Sequence, residues 1–175
     1  MSPSPQTTRT SATPSFIVDG MLGSLARWLR LLGFDTAYCE NWSDDDILRA
    51  TGTRILLTRD KQLLARAATR GFTAINPGAH SIADQLLRLR QQLRLTFDVD
   101  PARSRCPRCN HSLSRVNKAQ VSDRVPPGSF QRYTDFWECS NPDCRHVYWQ
   151  GRHWQRIKRT LDETNSESSA AEPQT

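Results

Sequence analysis

The stretch FIVDGMLGSLARWLRLLG, residues 16–33, decides the fold class. Residues 16–18 are a short apolar run closed by Asp19 and Gly20, the pattern of a buried strand. Leu22, Leu25, Ala26, Leu29 and Leu32 then recur at helical spacing, and Gly33 supplies the usual glycine stop. The same alternation continues downstream. Residues 35–39 read as a second strand. Ser43 reads as an N-cap, with Asp44, Asp45 and Asp46 in the first turn where the helix dipole favours acids. Residues 54–58, RILLT, are a third strand with Asp60 just beyond it. Leu63, Leu64, Ala67 and Ala68 form a helical face up to Gly71, and residues 72–75 are a fourth strand. Ser81 caps a helix carrying Ile82, Leu86, Leu89 and Leu93 on one stripe. Strand and helix in strict alternation, joined by short connections, predict an α/β domain over 16–100 with a parallel sheet flanked by helices. The pattern does not give the strand order.

Outside this domain the composition changes. Residues 1–15 and 162–175 are rich in Ser, Thr and Pro or Glu and poor in apolar side chains, so both are expected to be disordered tails. The first tail has no apolar core of a secretory signal, and no run approaches the length of a membrane span. A cytoplasmic protein is expected. The formal net charge is +6, unevenly placed. Residues 16–100 carry 11 basic and 10 acidic side chains, whereas 101–161 carry 12 and 4. A basic module of that density points to an anionic partner, most simply nucleic acid; a merely soluble surface is the plain alternative.

The basic module, 101–161, also holds four of the five cysteines. Cys106 and Cys109 form a CxxC pair, and Cys139 and Cys144 a CxxxxC pair after 29 intervening residues. Two tight turns, each bringing two thiolates to one ion, close a tetrahedron, so a structural zinc ion is expected. A redox pair at 106–109 would leave Cys139 and Cys144 without a purpose. A full thiolate set leaves His111, His146 and His153 no need to ligate. Cys39 ends an apolar stretch and reads as a small buried hydrophobe. Phe136, Trp137, Tyr148, Trp149 and Trp154 crowd the module among Arg145, Arg152, Arg156, Lys158 and Arg159. Aromatic rings among cations can stack bases while the cations follow phosphates. They can equally pack the ribbon, which is the expectation for Trp137 and Tyr148 beside the cysteines.

Asp19 and Asp60 each fall just past a predicted parallel strand, and the carboxyl ends of such strands line the ligand crevice of open α/β sheets. One of Asp44, Asp45 and Asp46 could add a third carboxylate. Hard Mg²⁺ or Mn²⁺ suits such donors, and such an ion can activate water and offset charge on a phosphodiester cleaved in line. The bland readings are a turn at Asp19, a helix cap at Asp60 and a favourable helix start at Asp44–Asp46.

The stretch 16–36 with DDDIL and RILLTRDKQLLARA downstream, and SRCPRCN with ECSNPDCRHVYWQGRHW after it, resembles the PIN-like nuclease family named for the C-terminal domain of the Mut-seven exonuclease. The resemblance covers about 16–158. It implies a PIN-like α/β fold followed by a small Cys₄ zinc ribbon, RNA cleavage, and acids holding a divalent metal. By position it assigns Asp19, Asp44 (with Asp45 as a substitute) and Asp60 to catalysis and to Mg²⁺ or Mn²⁺. The place of a further acid holds Asn76, with Asp84 beyond it. Arg27, Arg59 and Lys61 would then hold substrate phosphate, and Trp149, Arg152 and Trp154 would grip RNA from the ribbon. For Arg30 a solvated helix face is the expectation. The leading function is a metal-dependent endoribonuclease acting on RNA such as tRNA, rRNA or another structured RNA. A non-catalytic RNA-binding adaptor and a toxin-like nuclease with a protein antidote are the alternatives.

Overall fold

The computed structural model describes residues 13–169. Strand β1 (Phe16–Asp19) leads through a 3₁₀ turn (Gly20–Leu22) into helix α1 (Gly23–Leu31). Then follow β2 (Thr36–Cys39), α2 (Asp44–Thr51), β3 (Ile55–Leu57), α3 (Lys61–Thr69), β4 (Ala74–Ile75) and α4 (Ile82–Leu93). All strand pairings among β1–β4 are parallel, in the order β2-β1-β3-β4. The expected α/β alternation is therefore present, and the strand order comes from the structure.

Both faces of the sheet are buried, as parallel sheets require. Alternate residues sort to opposite sides. Phe16 and Val18 of β1 and Leu57 of β3 pack with Leu25 and Leu29 of α1 and Leu86 and Leu89 of α4. Ile17 and Leu56 pack the other side with Cys39, Ile47 and Leu48 of α2 and Leu63 and Ala67 of α3. The local stops and starts are chemical. Phe34 N–H donates to Leu29 O and Gly33 N–H to Arg30 O, a Schellman end for α1. Gly33 has φ +91°, and an added Cβ would lie 2.8 Å from the Arg103 carbonyl oxygen. Ser43 and Ser81 cap α2 and α4 as expected; Asp84 completes a capping box with Ser81.

The second half builds an antiparallel sheet, β5 (Leu113–Val116), β6 (Phe136–Cys139) and β7 (Val147–Trp149), with a short helix α5 (Pro127–Arg132) between β5 and β6. A long helix α6 (Arg152–Ser169) follows.

Three expectations change here. Residues 162–169, expected within a disordered tail, are helical, because α6 runs to Ser169; extending a nucleated helix costs little per residue. Residues 170–175, and 1–12 of the first tail, lie outside the described residues. Second, residues 152–161 are not simply part of a separate ribbon. Ile157 and Leu161 of α6 are buried in the same cluster as Leu86 and Leu89. Third, Arg30 is not solvated: it is 7% exposed. Its Nε donates to Thr36 O (2.9 Å), and Nη1 donates to Pro107 O (2.9 Å) and Arg108 O (3.3 Å). A buried guanidinium needs such partners, and the 106–109 turn supplies them. Beside it, Asn110 accepts from the Thr36 N–H (3.0 Å) and donates to Asp35 (2.6 Å), which also pairs with Arg54 (2.8 Å). The ribbon is thus fastened to α1 and β2 by polar bonds.

Candidate metal centres and nucleic-acid surface

The cysteine cluster is fully assembled. Cys106, Cys109, Cys139 and Cys144 place their sulfurs within 4.8 Å of one another. Cys109 and Cys139 are 3.3 Å apart and Cys106 and Cys144 3.8 Å. A tetrahedron with Zn–S bonds of about 2.3 Å has S–S edges of about 3.8 Å, so the donors fit that ion. The turns set this spacing: the Asn110 N–H closes on Cys106 O (2.8 Å), and the Cys144 N–H on Asn141 O (3.0 Å). The Tyr148 hydroxyl lies 3.1 Å from Cys106 Sγ, an outer partner that orients the ligand.

The thiols do not titrate alike. Burial raises Cys109, but the His111 N–H and the neighbouring cysteines outweigh it and bring it down to about 6. Burial, together with the charge and hydrogen bonding of the other cysteines, holds Cys139 and Cys144 above the ordinary thiol range. The sulfur spacing is what fits the set to a cation, and binding one would release the protons that Cys139 and Cys144 hold. The four cysteines can therefore hold a metal ion such as zinc. His111 Nδ1 faces the Cys109 carbonyl and His146 Nδ1 faces Arg108, so neither joins the set. The His153 side chain lies outside the described residues.

The carboxylates are arranged differently. The chain runs from β1 to β2 on one side and then crosses to β3 on the other, so the topological switch lies between the carboxyl ends of β1 and β3. Asp19 ends β1 there. Thr58, just past β3, donates its hydroxyl to Asp19 Oδ2 (2.7 Å) and accepts the Asp60 N–H (3.0 Å). Asp19 and Asp60 are thus joined through one threonine. Asp60 Oδ1 also caps α3 by accepting from Gln62 N–H (2.7 Å) and Leu63 N–H (3.1 Å). Asp44, by contrast, pairs with Arg66 of α3 at 3.0 Å, and Asp45 pairs with Arg66 and with Arg70. Among the described residues the four cysteines are the only group of three or more potential ligands gathered this closely. The expected trio of Asp19, Asp44 and Asp60 is not drawn together. Like charges repel, and a cation already in the chain, Arg66, takes up Asp44. That exposed pair is worth only about 0–1 kcal/mol, so an incoming ion could exchange it. Both candidates for a further acid position are taken up locally: Asn76, just past β4, accepts the Gly78 N–H (2.8 Å), and Asp84 serves its cap. Cys39, beside Asp19, is buried as expected, and burial first and the Asp19 charge second push its thiol up to about 11.

The expected RNA contacts fall into three places. Arg59 and Lys61 flank Asp60 at the sheet edge. Arg27, Trp149 and Trp154 come together on a cleft of about 380 Å³ between α1 and the ribbon. Arg152 lines an adjoining cleft on the other side of Trp149, with Arg132 and Tyr133. Trp137 and Tyr148 pack against the cysteines as expected and also reach the first cleft. Sequence reasoning missed Thr58, Arg66 and Arg108. It also missed that Ser24, Arg27, Trp28 and Leu31 share one helix face at i, i+3, i+4 and i+7, a signal the sequence does carry.

An α/β sheet with two acids at its switch point is thus fastened to a small antiparallel ribbon whose four cysteines can hold a metal ion. The chain matches the Mut7-C RNAse domain over residues 14–161, and it belongs to that family. Searches of curated proteins and of solved structures returned no match. The family gives the chain a ribonuclease-related function with RNA as its substrate or partner. No helix among the described residues is long and apolar enough to cross a membrane.

Proposed function

We propose that this protein is a divalent-metal-dependent endoribonuclease whose ribbon holds a structural zinc ion and helps to bind RNA. The observation that carries the reading is the Asp19–Thr58–Asp60 linkage at the switch point of a chain in an RNase family. Asp19 and Asp60 would hold Mg²⁺ or Mn²⁺, hard cations matched to carboxylate oxygen, and Asp44 would join on leaving Arg66. Bound there, the ion supplies positive charge to the scissile phosphate and an activated water. Thr58 orients Asp19 and fixes which oxygen faces outward. Arg59 and Lys61 hold phosphate beside Asp60. The zinc stays structural, because four thiolates leave it no open position. Thiolate ligands need a reducing compartment, which favours the cytoplasm.

The test is incubation of purified protein with structured and single-stranded RNA in Mn²⁺, beside Asp19→Asn and Asp60→Asn. Loss of cleavage in both variants is expected; equal cleavage by variants and wild type would end this reading. One observation favours a second reading, an RNA-binding adaptor without chemistry: Asp44 is paired with Arg66 and the three acids are not gathered. Salt-dependent RNA binding with no cleavage in any divalent ion would establish it.

A further inference from the structure

The cleft between α1 and the ribbon is lined by four of the chain's five tryptophans: Trp28, Trp137, Trp149 and Trp154. Arg27 and Arg108 also line it, and no carboxylate does among the described residues. Rings with cations and no acids suit an aromatic ligand that carries negative charge. Arg27, Pro107 and Arg108 also line, with Arg30, Tyr38 and the carboxylate of Glu40, a neighbouring depression of about 300 Å³. The Tyr38 hydroxyl donates to Gly20 O (2.8 Å), the residue after Asp19. The two arginines are thus common to the tryptophan cleft and to a depression whose Tyr38 bonds beside Asp19.

We propose that this cleft seats one unstacked base of the RNA, with Arg27 and Arg108 on its phosphate, so that the substrate must be unpaired beside the cleaved bond. The proposal rests on RNA being the ligand of this family member, and deepens that reading by naming the class: unpaired RNA rather than continuous duplex. A base paired within a helix is stacked on both faces and cannot enter without being extruded. Stacking on tryptophan is open to any base, because every base offers a π-face, so the cleft selects for an unpaired nucleotide and not for sequence. The other half of the same strand can then pass Arg27 and Tyr38 toward Asp19.

The experiment uses the wild-type, zinc-loaded chain with no Mg²⁺ or Mn²⁺ added, so that binding is read without cleavage. Tryptophan fluorescence is followed on titration with oligoadenylate of six nucleotides, with an abasic hexamer of equal charge, with an abasic hexamer holding one inner adenosine, and with a blunt RNA duplex. The abasic hexamer is expected to bind about 5- to 150-fold more weakly than oligoadenylate, the range that one stacked base contributes. The single adenosine is expected to restore most of that loss and the fluorescence change, and the duplex to give neither. Trp154→Ala is expected to lose the preference for adenosine over the abasic hexamer, and the wild-type arms decide the matter should that variant fail to fold. Equal binding of abasic and base-bearing hexamers, or a duplex bound as tightly as the single strand, overturns the proposal. The two failures are separable. Adenosine preference with no cleavage in Mn²⁺ leaves this cleft standing and removes the nuclease reading; cleavage with no adenosine preference does the reverse.

Discussion

Two groups of metal-type donors in this molecule are built on opposite principles. The four cysteines arrive in pairs on two tight turns, and their sulfurs are already gathered. The carboxylates arrive singly from β1, α2 and α3, and only Asp19 and Asp60 are linked, through Thr58. A turn only a few residues long fixes two ligands locally, and pairing two turns needs only one long-range match. Single acids need every element placed and must also overcome their mutual repulsion. The first arrangement suits a permanent ion that holds a fold together. The second suits an ion that comes and goes with a charged substrate.

The largest test of that contrast is removal of the ribbon's metal. Chelation, or Cys106→Ser, is expected to unfold the ribbon, since structural zinc contributes about 10 kcal/mol or more to small domains. Metal analysis should fall from one zinc per chain toward none while amide signals of residues 16–93 persist; a ribbon still folded without metal would break the comparison. Next is Arg30→Ala, which removes a buried donor to three carbonyls. A loss of about 3 kcal/mol is expected by denaturant unfolding, because orphaned buried groups cost about 1–3 kcal/mol each. A loss near zero would mean that the halves do not depend on this clamp.

On the acidic side, Asp19→Asn should lower RNA cleavage by about 100-fold or more at unchanged stability, since metal charge contributes several kcal/mol to such barriers. Thr58→Val should act through Asp19 and reduce cleavage by about 10-fold, the lower range for partners that orient ligands. If Thr58→Val alters stability but not rate, the threonine is merely structural.

The smallest effect concerns Asp35. Burial alone would raise its pKa, but hydrogen bonds from Arg54 and Asn110 win and hold it below the ordinary carboxylate value. A depressed folded value means the stabilisation is complete above the unfolded pKa of about 3.9 and is lost as pH falls through the folded one. Asp35→Asn is therefore expected to be less stable than wild type by about 1 kcal/mol near neutrality, the two curves converging at acid pH. A gap that persists at low pH would remove the charge from the account.

The acids past the strand ends and the cysteine tetrad are largely legible in the sequence. Cys106, Cys109, Cys139 and Cys144 declare themselves by spacing, because both ends of each pair lie in one turn. Asp19 and Asp60 declare themselves as acids past strand ends, and Ser43 and Ser81 as caps, for the same local reason. Asp44 could be placed at the start of α2 but not given its partner. Arg66 is 22 residues away, and only the packing of α2 beside α3 brings them together.

By itself, then, the sequence determined the α/β alternation, the helix ends, the cysteine tetrad and the concentration of positive charge in the second half. These rest on periodicity and on contacts within a turn. The tertiary structure alone decided the strand order β2-β1-β3-β4, and hence that Asp19 and Asp60 are neighbours at the switch. It alone turned Arg30 inward to carbonyls 77 and 78 residues away, laid α6 on the α/β core, and closed α1 and the ribbon over a cleft of tryptophans. Each of those depends on which surfaces meet when the chain buries its apolar area, and no local pattern encodes which distant partner will be there.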